Sequence, residues 1–181
     1  ANQVMLLKKD IPVPPILPLT HQLCSEHLSQ YSPHWQVLWE QFKKIQADNR
    51  TELASGTHEV LKELRTLIKD TFVKHPLSEH VVNAYLKEHV QSDDLLMVRS
   101  TGMEDSEELA NPGGNKSYSG IKPDIEVISK ATGRVIASYF GEKSLEQRLK
   151  SGKNLQKEDF VPLAETAFMP VLLQKMIKGT V

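Results

Sequence analysis

Cysteine is nearly missing from this chain: Cys24 is the only one among 181 residues. That excludes an internal disulfide and any metal site built from cysteines. Cys24 falls in a predicted helix, where a lone thiol is an inert buried group more often than a nucleophile. An excess of charge of either sign is missing as well. Lys and Arg number 22 against 23 Asp and Glu, and the two are interspersed. This excludes a basic nucleic-acid face and a polybasic membrane patch. No apolar run approaches the roughly 20 residues that span a bilayer, and no basic-then-apolar leader opens the sequence. The expectation is a cytoplasmic protein of a reducing compartment, without nucleic-acid or membrane partners. Repeats and low-complexity tracts are absent. Asn49-Arg50-Thr51 and Asn115-Lys116-Ser117 fit the glycosylation acceptor triplet, which is frequent by chance and carries no inference.

What is present begins with four prolines among aliphatics in residues 10–19, which forbid helix and favour an extended, edge-like segment. A helical block follows over about 20–91. Thr20 is placed to cap a helix through Leu23 and Leu28, and Ser32-Pro33 reads as a cap followed by proline at the first helical position. Trp35, Leu38, Trp39, Phe42 and Ile45 share one face of the next helix. Val60, Leu61, Leu64, Leu67, Ile68 and Phe72 line another, and Ser78 opens a helix with Val81, Val82, Tyr85 and Leu86. These are packing stripes, so the tryptophans are assigned to the core rather than to a stacked base. All seven histidines lie in this block at no recognisable ligand or nucleophile spacing, and surface or helix-end roles suit them best.

The second half is organised differently. Leu95 to Val98 is a short apolar run between polar flanks, which reads as a buried strand. It delivers Arg99, Ser100 and Thr101 to its end, then breaks into Glu104-Asp105. Residues 111–120 form a glycine-rich stretch expected to be a loop. Asp124 caps a helix reaching Phe140, in which Gly133 costs about 1 kcal/mol relative to alanine and leaves room for a kink. A short helix over about 142–150 ends near Gly152, and the run from Phe168 to Ile177 reads as a strand. The arrangement is α+β. A guanidinium beside a glycine-rich loop suits a polyphosphate, because its forked donors match phosphate oxygens and glycines let backbone N–H groups approach. On the residues alone, a structural ion pair between Arg99 and Glu104 or Asp105 accounts for it equally well.

Read together, Val98-Arg99-Ser100-Thr101, Glu104-Asp105 and Tyr118-Ser119-Gly120 resemble the VRSS…ED…SFAG pattern of the phosphoenolpyruvate synthase and pyruvate phosphate dikinase family. Ile11-Pro12-Val13-Pro14-Pro15 resembles its PVPPG segment. Ile136-Ala137-Ser138-Tyr139-Phe140 with Arg148 resembles IASxF…R, and Leu173-Gln174-Lys175-Met176-Ile177 resembles VQKMV. Four matches in order cover nearly the whole chain. The resemblance implies one incomplete domain over 1–181, the first lobe of an ATP-grasp-like domain. It would comprise the helical block, a strand–loop–helix phosphate-contacting part over about 94–150 and a hinge strand over about 168–178.

The same resemblance implies the site. Arg99 would contact the phosphates of ATP as the catalytic residue, Ser119 and Gly120 would lie in a loop folded over them, and Gln174, Met176 and Ile177 would offer a strand edge to the adenine rim. Tyr118 replaces the usual phenylalanine, and the spacer before Ser117 is more acidic than the pattern. Glu104-Asp105 is expected to shape a turn, with Mg ligands outside this chain, and Lys143 and Arg148 to lie on a solvated helix face. Ala1 to Leu6 looks like the continuation of the family's GGKGANL segment, entered after its lysine. The partners implied are a second ATP-grasp lobe and a phosphocarrier domain whose histidine takes phosphate from ATP and passes it to pyruvate, a glucan or an antibiotic. By itself the 181-residue chain is expected to bind ATP weakly. The competing reading is a helical interaction module that keeps the fold without turnover.

Overall fold

A computed structural model describes residues 13–47, 52–101, 115–152 and 170–177. Ile16–Leu19 form strand β1 at one edge of a sheet. Lys175 N–H donates to Pro15 C=O at 3.4 Å, and Leu17 and Leu19 lie opposite Leu173 and Val171. Hydrogen bonding alternates along an antiparallel pair, so Pro18 occupies the intervening position, where a missing N–H costs the ladder nothing. The extended, edge-like expectation for this segment therefore holds over the described residues.

Helix α1 (His21–Tyr31) starts where Thr20 Oγ1 accepts from Leu23 N–H at 3.2 Å, satisfying one of the orphan donors of a helix start. Helix α2 (His34–Gln46) starts differently from its sequence signal. Pro33 is the N-cap, itself in helical conformation, and no side chain caps this end. Ser32 serves as the C-cap of α1 instead, and its hydroxyl pairs with that of Thr71 at 2.7 Å. Trp35, Leu38, Trp39 and Phe42 are buried, as are Val60, Leu61, Leu64, Ile68 and Phe72 of α3 (Thr57–Lys74). Helix α4 (Glu79–His89) follows, with Ser78 at its N-cap. The packing stripes thus form one core, in which Cys24 is fully enclosed; burial pushes its thiol up to about 12.

The sheet has order β1-β4-β2-β3, with β2 spanning Leu96–Ser100, β3 Ser117–Ile121 and β4 Val171–Lys175, every pair antiparallel. Helix α5 (Ile125–Tyr139) packs on one face of β2, β3 and β4. Asp124 Oδ1 caps it by accepting from Val127 N–H at 2.9 Å. Helix α6 (Glu142–Gly152) completes the described elements. Among the described residues no helix is long and apolar enough to cross a membrane.

Helix α5 runs through Gly133 unbroken. The glycine permits close approach to α3: a Cβ there would lie 2.7 Å from Phe72 Cβ and 3.1 Å from Cγ. Gly133→Ala is expected to lose about 1–3 kcal/mol to overpacking, against a gain of about 1 kcal/mol in helix propensity. The melting temperature should fall by a few degrees; a rise in a thermal melt would show that the helices part freely.

One histidine departs from the surface role. His27 Nε2 lies 2.8 Å from His75 C=O, and its ring packs on Phe72 with centroids 4.7 Å apart. Tyr31 stacks on His75 at 4.3 Å. Desolvation lowers the His27 pKa from 6.5; the hydrogen bond to His75 C=O opposes it in part, and the charge of His75 adds a smaller lowering. The folded value lies below the unfolded one, so the unfolded chain takes up protons first as the pH drops through about 6.5. The stability in question is present above that pH and is lost below it. Melting temperatures measured between about pH 7.5 and about pH 5 should fall further for the native protein than for His27→Gln; equal falls would assign the acid sensitivity to other groups.

Candidate functional site

The alternation Leu96-Met97-Val98-Arg99 fixes the two faces of β2. Leu96 and Val98 are fully buried under α5, Met97 is half-buried and Arg99 is exposed. Residues directly opposite in an antiparallel pair share a face. Arg99 lies opposite Leu172 of β4 and Ser117 of β3, and Met97 lies opposite Gln174. Among the described residues the sheet therefore has a packed face and an open one, and the open face carries Arg99 between a hydroxyl and an aliphatic neighbour.

Among the described residues the Arg99 side chain makes no ion pair or hydrogen bond. Glu104 and Asp105, the partners that an ion-pair reading assigns to it, lie outside the described residues, as does the acidic spacer through Gly114. Arg99 stands on an interior strand, one residue from its end, with β3 and β4 on either side.

Ser119 and Gly120 are part of a strand rather than a loop. Tyr118 lies opposite Val98 and Ile121 opposite Leu96, so two residues of β3, Ser119 and Gly120, face the single residue Met97. This is a bulge, and Gly120 takes the positive φ it requires, 71°. Gly120 N–H donates to Met176 Sδ at 3.3 Å. Tyr118 turns to the packed face, where Arg134 of α5 stands 6.0 Å from its ring centre. Alternation leaves Ser117 and Ser119 on the open side, both exposed.

Strand β4 is interior too, which changes what its end offers. The adenine-rim expectation used backbone groups of a strand edge, but β4 is flanked by β1 and β2. Met176 N–H donates to Leu95 C=O at 2.8 Å. Gln174 therefore presents its side chain, next to Met97 on the open face, and Ile177 emerges past the strand with 71% of its surface exposed. Lys175 points the other way. Its Nζ reaches Asp94 Oδ2 at 2.6 Å, and its N–H donates to Tyr85 Oη at 3.1 Å while Tyr85 Oη donates to Pro15 C=O at 2.8 Å. A cleft of about 450 Å³ opens at this end, between the Pro14-Pro15 segment, His89 and Met176-Ile177.

The structure thus gathers Arg99, Ser119, Gly120, Gln174 and Met176 on one sheet face, with Ile177 at its rim. Ser117, Met97 and Leu172 belong to the same face and were not singled out as site residues by the motifs. Period-two alternation within β2 and β4 carries the signal for Met97 and Leu172; Ser117 emerges only from the pairing of β3. Lys143 is exposed on α6, in keeping with a solvated face, and the Arg148 side chain lies outside the described residues. No cluster of three or more His, Cys, Asp or Glu able to hold a metal ion occurs among the described residues.

Every polar group of this set can donate: a guanidinium, two hydroxyls, a carboxamide and an N–H turned outward by a bulge. Such a set suits an anion with several oxygens. No individual curated protein matches the chain. Residues 2–181 match the family model described as pyruvate phosphate dikinase, AMP/ATP-binding domain. With an ATP-grasp-like α+β lobe and near-complete coverage, the chain belongs to the pyruvate phosphate dikinase AMP/ATP-binding domain family.

Proposed function

We propose that the open sheet face holds the phosphates of ATP in a dikinase that phosphorylates a histidine on a carrier domain, which then passes the group to an acceptor such as pyruvate. The exposed Arg99 without an ionic partner among the described residues carries this reading. A guanidinium keeps its charge at any physiological pH and bridges two phosphate oxygens. Phosphoryl transfer needs that neutralisation and alignment more than a covalent protein group. Ser117, Ser119 and the Gly120 N–H extend the donor row toward Met97. Met176 and Ile177, at the cleft beyond β4, take the adenine, with Gln174 beside them.

Magnesium, when bound with ATP, would screen charge between the phosphates. The described residues of this face offer no carboxylate for it. Its ligands belong to a second lobe closing over the sheet, and the open face is the surface such a lobe would meet. The reading places the protein in the cytoplasm, where ATP is abundant. Pyruvate, a glucan or an antibiotic each fits as acceptor.

Arg99→Ala in the intact protein is expected to weaken a non-hydrolysable ATP analogue about 10- to 100-fold, the range for losing a charged hydrogen-bonding group. Adenosine affinity should stay within about twofold of the native value, and Arg99→Lys should be intermediate because its point charge lacks the fork. Unchanged affinity for the analogue in Arg99→Ala, by calorimetry, would favour a non-catalytic interaction module.

A further inference from the structure

Two segments with separate roles in the nucleotide reading touch each other directly. Gly120 sits in the β3 bulge, and Met176 lies beyond the end of β4, with β2 between them. The Met176 backbone is held to β2 by its N–H on Leu95 C=O. Its side chain shares the open face with Gln174, two residues earlier, and crosses β2 to receive the Gly120 N–H at 3.3 Å. A thioether sulfur is a weak acceptor on a side chain with three rotatable bonds. An anionic oxygen makes a far stronger bond to the same donor.

We propose that Met176 is a displaceable latch. In the nucleotide-free protein its sulfur occupies the Gly120 N–H and keeps the bulge in shape; a phosphate oxygen of the bound nucleotide takes that donor and releases the side chain. Met176 is then a positioning residue that links the end of β4 to phosphate occupancy on β3. The inference rests on the nucleotide reading above. Because the latched state must be vacated before the donor is used, it lowers apparent affinity by the fraction of time the donor is occupied.

The test compares Met176→Leu, which keeps the bulk and removes the acceptor, with Met176→Gln, which supplies a stronger acceptor at similar length. Thermal melts first establish that both variants fold. In the free proteins the Gly120 amide proton resonance should move upfield in Met176→Leu and downfield in Met176→Gln. Affinity for a non-hydrolysable ATP analogue should rise about two- to fivefold in Met176→Leu and fall about three- to tenfold in Met176→Gln. Because Met176 also contacts the adenine in this reading, adenosine measures that contribution, and the ratio of analogue to adenosine affinity should move by these same factors. At saturation with the analogue, the Gly120 resonances of all three proteins should converge.

A Gly120 amide indifferent to both variants overturns the latch, as does a parallel change for adenosine and the analogue, which would assign Met176 to the base alone. Analogue binding that depends on Arg99 but leaves Gly120 unmoved sinks the latch and spares the nucleotide reading. If no protein in the series binds the analogue, the nucleotide reading fails, and displacement by nucleotide fails with it.

Discussion

The register of β2 is the constraint on which the site depends. A strand turns successive side chains to opposite faces, so a slip of one residue would send Arg99 into the core and Val98 to the open face. Leu96 and Val98, both fully buried against the packing of α5, oppose that slip. The cost of exposing two such side chains is about 3–6 kcal/mol, before the cost of burying an unpaired guanidinium. The core side of the sheet therefore dictates the chemistry of the other side.

Several bonds hold the register from its ends. Thr101 N–H donates to Pro170 C=O at 3.0 Å, and Met176 N–H to Leu95 C=O at 2.8 Å, bracketing the β2–β4 pair. Lys175 shares the packed face with Leu96 and would be costly there without its 2.6 Å contact to Asp94, itself a largely buried carboxylate. Asp94 Oδ2 also accepts from Gln91 N–H at 2.8 Å, which fixes the turn into β2. Tyr85 then ties α4 to β4 and to Pro15, just ahead of β1, through one hydroxyl. The close approach at Gly133 sets how near α3 and α5 lie, and α5 is the helix on which the sheet rests.

Much of this was legible in the residue pattern, and the failures have specific causes. The apolar run before Arg99 announced a strand, and the stripes of α2 and α3 announced buried faces, because both periodicities are written within single elements. Strand β3 was expected as part of a loop: Ser-Tyr-Ser-Gly-Ile has little apolar character, and its pairing partner lies about 20 residues away. Gly120 looked like loop flexibility and is a bulge position instead. The interior places of β2 and β4 follow from strand order, which no local pattern encodes, so the backbone of β4 was assigned to a ligand when neighbouring strands use it. Ser32-Pro33 carried a valid helix-start signal, yet the hydroxyl found Thr71 and left the cap to Pro33.

An open sheet face that holds a charged donor is electrostatically weak until it is covered. Two unit charges about 4 Å apart attract with about 1 kcal/mol in water and about 4 kcal/mol near a protein surface of lower effective dielectric. Arg99 alone, exposed to solvent, works near the first limit. Its flanking groups, Leu172 and Met97, are apolar or soft, and a sheet floor of that kind becomes a low-dielectric wall once something covers it. Covering the face would therefore strengthen each donor already in place without moving any of them. The donors of this lobe and the carboxylates required by a metal are chemically incompatible neighbours on one small face, since they would pair with each other before meeting a nucleotide. In the proposed reading, placing them on two surfaces would keep the guanidinium available, and closure would bring both charge types to the phosphates at the same moment.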